Sequence, residues 1–287
     1  MSPVVTPSLP SSTFLGRTSS GLVVLCLGLG IAAVGQVSPQ KPRVPSLVPF
    51  TVEPSLTISD DVGWTPDQTP ADFLDGVGLR VKARWRQMYR EPPGPPSTTR
   101  PLAAYTLGSL LADSYLAIEA TDAQQFRNNN QDIIAYCRVL GVGDKIAPRL
   151  MAEGKLAEQD QWTSLRQEVV DGQQELGRFL REQRDEDLAI LMDLGVWMRM
   201  LDMVSGVVVD SPDQSVWSLC VGSPALLKEM KQRYGQMSGS SRKQERVASI
   251  GETLEFLYRH WVDAPPPSLA RITRSRDKIH DHWVKLH

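Results

Sequence analysis

Residues 187–204, DLAILMDLGVWMRMLDMV, predict a helix that is apolar nearly all round. A second stretch, LGSLLADSYLAIEA at 107–120, is apolar over more than half of the circumference of the helix that it predicts. A helix that is hydrophobic on all sides is buried in a protein core, whereas a surface helix keeps one apolar stripe. The two stretches therefore predict two largely buried central helices that other helices surround.

The sequence around these two stretches predicts amphipathic helices. Apolar residues recur there at steps of three and four, which is the spacing of one helix face. Thr69-Pro70 begins the first of these helices, and we expect it to continue to Arg90, where a proline-rich turn ends it. No run of alternating polar and apolar residues predicts a strand. The predicted fold class is all-α, as a multi-helix bundle or an irregular helical array.

Capping residues, glycines and prolines predict the ends of the other helices. Asp122 is expected to cap a helix that ends at Gly141-Val142-Gly143, and Pro148 is expected to interrupt the short segment that follows. The remaining predictions are helices over 159–183, from 185 onward, over 224–237 and 242–261, a loop at 238–241 and a final helix from 269.

The domain organisation is predicted in three parts. Residues 1–35 are predicted to be a signal peptide, residues 36–68 a proline-rich extended linker or arm, and residues 69–287 an all-helical domain. The helical domain divides into two possible halves, 69–143 and 144–287, with one apolar central helix in each. The residues of the two halves match too weakly to define a repeat, so a solenoid of fixed period is not predicted.

Export is predicted from the stretch GLVVLCLGLGIAAVG at 21–35. Arg17 precedes an uncharged apolar run, and Ala33 and Gly35 place small side chains at the −3 and −1 positions of a cleavage site before Gln36. A basic residue, a short apolar run and a small-x-small end are the parts of a secretory signal peptide. The run is shorter than the roughly 20 residues of a membrane-spanning helix. A short uncleaved anchor and a buried apolar segment are the alternatives.

The chain has three cysteines, at positions 26, 137 and 220. Cys26 lies within the predicted signal peptide but lacks the small preceding residue of a lipoprotein signal, so we expect no lipid anchor there. Cys137 and Cys220 could form one disulfide in an oxidising compartment. Alternatively, Cys137 is a buried free thiol, because it lies on an apolar helical face.

Composition and motifs argue against several classes of function. The formal net charge of −2 gives no basic surface for nucleic acid or for an anionic membrane. Glu-x-x-His and HExxH metal motifs, phosphate-binding glycine loops and the GxSxG nucleophile motif do not occur in the sequence. His280 and His282 lie two residues apart, point in different directions on a helix, and are interpreted as a surface pair. We therefore expect no cofactor and no metal site.

The charged residues of the two apolar stretches are the candidate site residues. They are Asp113 and Glu119 in the first stretch and Asp193, Arg199 and Asp202 in the second. A buried charge needs a partner or a shifted pKa, so these residues are either structural ion pairs or functional groups. Pairing of Arg199 with Asp113 or Asp202 would correspond to the structural alternative.

Taken together, these features predict an exported, soluble helical protein that acts as a non-catalytic binding or structural module. Its partner is expected to be an unidentified protein or small molecule and not nucleic acid, and no stable membrane span remains after cleavage of the signal. The alternative is a helical hydrolase or lyase in which Asp113, Glu119 or Asp202 serves as acid or base. A scaffold for protein partners is a third hypothesis, and it requires an exposed apolar patch.

Overall fold

The computed structural model describes residues 68–97, 99–211, 224–262 and 268–286 of the chain. These residues form ten α-helices and one short 3-10 helix and contain no strand, which confirms the all-α class. The 3-10 helix (Trp85–Met88) lies between α1 and α2. The α-helices are α1 (Pro70–Gly78), α2 (Arg100–Glu119), α3 (Ala123–Val139), α4 (Gly143–Glu158), α5 (Trp162–Glu182), α6 (Glu186–Val209), α7 (Pro224–Gln236), α8 (Gly239–Arg242), α9 (Glu245–Trp261) and α10 (Leu269–Leu286).

Helices α2 and α6 form the central pair, as the sequence predicts. Every residue of α2 from Leu102 to Ile118 is buried except Asp113. Most of α6 between Leu188 and Val208 is buried as well. Within the described ranges, no helix has the combination of length and apolar character that a membrane crossing requires.

The central pair meets at two glycines. A Cβ atom at Gly108 would overlap the carbonyl group of Met192. A Cβ atom at Gly195 would overlap the carbonyl group of Tyr105 and would lie 3.2 Å from the Cα atom of Gly108. Because only glycine lacks a Cβ atom, only glycine allows the two backbones to approach this closely.

The other helices pack around this pair in two groups. In the first group α3 packs on α2 and α4, and α5 packs on α2, α4 and α6. In the second group α10 packs on α6 and α9, and α7 packs on α6 and α9. Helix α1 contacts α2, α5 and α6, and its Phe73 ring meets the ring of Trp197 edge-on at 5.8 Å between centroids.

The predicted capping residues occupy the expected positions. At the start of α1, Thr69 Oγ1 accepts a hydrogen bond from the Asp72 backbone N–H, and Asp72 Oδ2 accepts one from the Thr69 N–H at 3.0 Å. At the start of α3, Asp122 Oδ1 accepts from the Gln125 N–H at 3.0 Å. After α3, Gly141 adopts φ +76°, which is the left-handed conformation that favours glycine.

The prediction that the first helix continues to Arg90 is wrong, because α1 ends at Gly78. Gly76 and Gly78 fall in this last turn, and each glycine disfavours helix by about 1 kcal/mol relative to alanine. Val81 and Trp85, which extend the apolar stripe in the sequence, are partly buried against the core. The stripe therefore identified residues that contact the core but not a continuous helix.

Two local elements also differ from the sequence prediction. The expected interruption at Pro148 is wrong, because α4 continues through this residue from Gly143 to Glu158. Ile146 and Leu150 are buried on either side of Pro148, so their packing offsets the backbone hydrogen bond that proline cannot donate. The expected loop at 238–241 contains the start of α8, which Ser238 caps by accepting a hydrogen bond from the Ser241 N–H.

Several predictions concern residues that the structure does not describe. The predicted signal peptide at 1–35, the arm as far as residue 67 and Cys220 all lie outside the described residues. Cys137 is buried and forms no disulfide with another described residue, and burial raises the pKa of its thiol to about 12. The disulfide between Cys137 and Cys220 stays a prediction, as does the division of the helical domain into two halves.

Replacement of Gly195 by Ala is expected to lower the free energy of unfolding by about 3 kcal/mol, because the added methyl group forces α2 and α6 apart. Urea denaturation of the variant and the wild-type chain measures the change. Gly154→Ala in α4 is the matched control, because a Cβ atom there meets nothing within 4 Å. Alanine is the better helix former, so the control gains up to about 1 kcal/mol. Equal effects of the two substitutions would contradict close packing at Gly195.

Candidate functional site

Four charged side chains meet at the central helix pair, and we call them the arginine–aspartate cluster: Arg90, Asp113, Arg199 and Asp202. Asp113 Oδ1 accepts a hydrogen bond from Arg199 Nε at 2.8 Å. Asp113 Oδ2 accepts from Arg90 Nε at 3.0 Å and from Arg90 Nη2 at 2.8 Å. Arg199 also donates to Asp202, which lies one turn further along α6. The cluster contains two positive and two negative charges.

The arginine–aspartate cluster fixes the segment between α1 and α2 onto the central pair. Arg90 comes from this segment, and its Nη2 also donates to Ser109 Oγ of α2 at 2.7 Å. Arg199 Nη2 donates to the backbone carbonyl of Met88 at 2.6 Å. The Arg90 guanidinium lies 5.0 Å from the ring centroid of Trp283 on α10. One segment, two central helices and α10 therefore meet at this cluster.

The charges of the arginine–aspartate cluster determine its protonation states. Burial alone would raise the pKa of Asp113, but the charges of Arg199 and Arg90 outweigh burial and hold that pKa below its usual value. Burial alone would lower the pKa of Arg199, and the charges of Asp113 and Asp202 raise it above its usual value. Asp113 is thus ionised and Arg199 protonated over the whole neutral range.

A cavity of about 520 Å³ lies against one side of the arginine–aspartate cluster. Its walls are the segment Gln87–Gly94, the part of α6 from Arg199 to Gly206 and the part of α10 from Arg276 to Val284. Its apolar lining includes Met88, Pro92, Met203, Trp283 and Val284. The cavity has the volume of a small-molecule site, for which about 300–1,000 Å³ is typical.

Few charged groups outside the arginine–aspartate cluster line this cavity. Arg276 and His280 lie one helical turn apart on α10, and Glu91 lies on the opposite segment. Arg276 is half-buried, whereas His280 and Glu91 are exposed. Among the described residues, neither Arg276 nor Glu91 has an ion-pair partner within 4.0 Å.

The hydrogen bonds of the arginine–aspartate cluster limit the chemistry that it can do. Both carboxylate oxygens of Asp113 accept hydrogen bonds from arginine, and its pKa is lowered, so it is a weak proton acceptor. Asp202 lines the cavity but also accepts a hydrogen bond from Arg199. A general base needs a lone pair within reach of the substrate proton and a pKa near the working pH. Asp113 meets neither condition.

The structure brings together three of the five candidate site residues. Asp113, Arg199 and Asp202 belong to one cluster, in which Arg199 contacts both carboxylates. Glu119 is not part of it, because it pairs with Arg166 of α5. Burial raises the pKa of Glu119 despite this pairing.

Asp193, the further charged residue of the second apolar stretch, also lies outside the arginine–aspartate cluster. Its Oδ2 accepts a hydrogen bond from Arg233 Nη1 of α7 at 3.2 Å. Burial raises the pKa of Asp193, and the charge of Arg233 opposes that effect. Each of the five charged candidates thus has an oppositely charged partner.

The interpretation of His280 and His282 as a surface pair is wrong for His282. The His282 side chain is buried, its Nε2 lies 2.8 Å from Tyr105 Oη, and its Nδ1 lies 3.3 Å from Thr253 Oγ1. His280 is exposed and lines the cavity. The described residues contain no group of three His, Cys, Asp or Glu side chains that could hold a metal ion.

Sequence reasoning missed three members of the site: Arg90, Arg276 and Trp283. The sequence predicts Arg90 at the end of the first helix, but α1 ends at Gly78. The position of Arg90 against α2 therefore depends on the conformation of the segment between the two helices. For α10 a signal was present, because Arg276, His280 and Trp283 recur at steps of four and three and therefore share one helix face.

Sequence reasoning also missed Glu153 of α4, a buried acid away from the cavity. Its neighbours are mainly apolar, and Leu111 of α2 and Val169 of α5 are two of them. Arg149 donates to Glu175 Oε2 at 3.0 Å and also pairs with Glu168. Burial therefore dominates and raises the pKa of Glu153 to about 8.

Comparison of the chain with protein-family models, with curated proteins and with solved structures found no match.

Replacement of Asp113 by Asn is expected to lower the free energy of unfolding by about 3–5 kcal/mol, because it leaves the buried Arg199 and the partly buried Arg90 without their shared counter-ion. Denaturant unfolding at neutral pH measures this loss. Asp75→Asn is the matched control, because Asp75 also pairs with an arginine, Arg166, but its side chain is 56% exposed. We expect a loss below about 1 kcal/mol for the control. Similar losses for both variants would contradict the importance of burial.

The contribution of Glu153 to the free energy of unfolding is expected to fall as the pH rises from about 4.5 to about 8, because the folded chain keeps the Glu153 proton that the unfolded chain releases. Above about 8 this contribution no longer changes. Glu153→Gln removes the titration, so its advantage over wild type grows across this window to a few kcal/mol. Urea denaturation at several pH values measures the difference. Glu158→Gln, an exposed position on the same helix, is the control, and a parallel profile for both variants would exclude Glu153 as the source.

Proposed function

We propose that the protein is a non-catalytic binding module that holds a small, partly apolar molecule in the cavity between Gln87–Gly94, α6 and α10. The cavity of about 520 Å³ carries this proposal, because its volume is typical of ligand sites and its mainly apolar lining also holds polar and charged side chains that could orient a ligand. Val284, which is exposed, and Met88, which is partly buried, offer apolar contact area, while Arg276 and His280 offer polar contacts.

Binding fits the arginine–aspartate cluster better than catalysis does. Catalytic acids and bases have pKa values matched to proton transfer, and the charges around Asp113 move its pKa in the opposite direction from a neutral-pH base. The hydrogen bonds of Arg90 and Arg199 hold the cavity wall in place. A wall that is fixed in advance favours binding, because little ordering is needed when the ligand enters.

The hydrolase or lyase alternative has less support. It requires carboxylates that converge with unpaired oxygens in an open cleft. Asp113 and Asp202 accept hydrogen bonds from Arg199, and Glu119 pairs with Arg166 at a different place in the bundle. The alternative would therefore depend on Asp202 alone, since it is the only one of the three that lines the cavity.

We also propose that the module acts outside the cytoplasm. The support is the sequence pattern at 17–35, in which Arg17, an apolar run and the pair Ala33 and Gly35 form the parts of a signal peptide. The proline-rich residues after Gln36 would then separate the cleavage site from the helical domain.

Replacement of Val284 by Trp is expected to weaken binding in the cavity at least tenfold, because the indole would fill space at the rim. Val284 is 64% exposed, so the substitution leaves the core intact. Titration calorimetry with octanoate and with 1-octanol as probes, each of which has an apolar chain and one polar end, measures the affinities. Val139→Trp, an exposed position on α3 away from the cavity, is the matched control. Unchanged binding of both probes by V284W, or no binding by wild type, would contradict the proposed site.

Export predicts a mature chain that begins near Gln36. The full-length precursor would be expressed in its native host, or in a bacterium with a secretory pathway, and the exported material would be sequenced from its N-terminus. Gly35→Arg places a large charged side chain at the −1 position and should block this cleavage. An intact Met1 on exported protein, or retention of all material in the cytoplasm, would contradict the proposal.

A further inference from the structure

We infer that the ligand of the cavity is a small amphipathic monoanion, whose carboxylate or similar group pairs with Arg276 while its apolar part packs against Met88, Trp283 and Val284. This ligand class rests on the proposed function, since it specifies what the same cavity binds. Arg276 has no ion-pair partner among the described residues, the acidic groups of the cavity lie on its other walls, and apolar residues follow Arg276 along α10.

Arg276 is the cavity arginine that lacks a counter-ion among the described residues. Arg90 and Arg199 also line the cavity, but Asp113 and Asp202 neutralise them within the arginine–aspartate cluster. Arg276 is half-buried at the wall of the cavity. A cation without a partner in such a position favours an anionic group, and arginine binds a carboxylate in a two-point geometry.

The acidic groups of the cavity restrict where an anion can lie. Asp202 lines the cavity next to the arginine–aspartate cluster, and Glu91 lies on the opposite segment. Both repel a second negative charge, because like charges at close range are unfavourable. The anionic group is therefore expected at α10, and a single charge is favoured over two.

Helix α10 supplies both parts of the recognition surface. His280 lies one turn after Arg276 on the same face and offers a ring nitrogen to a bound carboxylate oxygen. Trp283 and Val284 follow within one further turn, and Met203 of α6 also belongs to the apolar lining. A ligand with a charged end and an apolar chain of a few carbon atoms matches this order of groups along the helix.

Titration calorimetry of the full chain with octanoate, 1-octanol and octylamine tests this inference. These probes share the eight-carbon chain and differ in the charge of the polar end. We expect wild type to bind octanoate at least tenfold more tightly than either other probe, and Arg276→Gln to weaken octanoate binding about tenfold. 1-Octanol binding should be unchanged in R276Q. Arg274→Gln is the matched control, because Arg274 is exposed on the same helix and does not line the cavity.

The possible outcomes separate failure of the ligand class from failure of the proposed function. Equal affinities for octanoate and 1-octanol, both lost in V284W, would overturn the anionic ligand and leave the cavity as a binding site. Tighter binding of octylamine would assign the opposite charge to the ligand. Equal loss of octanoate affinity in R276Q and R274Q would show a general charge effect and would also overturn the role of Arg276. Binding of no probe, or binding that V284W does not change, would overturn the proposed function itself.

Discussion

The contact between the α2 and α6 backbones at Gly108 and Gly195 is the constraint on which the rest of the structure depends. Two helices that meet without intervening side chains have a fixed crossing point, and their remaining faces are covered by other helices. Asp113 lies five residues after Gly108, and Arg199 lies four residues after Gly195, so both are little more than one turn from the crossing. The crossing therefore sets the distance between this carboxylate and this guanidinium.

Because Asp113 and Arg199 are removed from water, each of these charges must have a partner of opposite sign. Removal of an ion from water costs several kcal/mol, and pairing roughly offsets that cost without a large net gain in stability. The main effect of the arginine–aspartate cluster is therefore to hold neighbouring segments in place rather than to stabilise the fold. Arg90 and the Met88 carbonyl bind to groups on α2 and α6, so the irregular segment before α2 has a defined place. That place makes the segment a wall of the cavity.

Periodicity predicted the all-α class and the two central helices, because a helix without a polar face can only be buried. It also identified Asp113, Arg199 and Asp202, since charges within such helices stand out. Periodicity could not place Arg90, because α1 ends at Gly78, and the conformation of the residues that follow depends on their tertiary packing. Glu153 was missed for the same reason: its burial depends on how α4 lies against α2 and α5, which a single helix pattern does not encode.

The segment Gln87–Gly94 belongs to two equilibria at once, since it is held by the arginine–aspartate cluster and it also lines the cavity. Because the same hydrogen bonds hold this segment and fix one wall of the cavity, loss of the arginine–aspartate cluster would displace that wall as well as lower the stability of the fold. Under the proposed function, the stability of the fold and the affinity for a ligand are therefore linked, and the linkage is reciprocal.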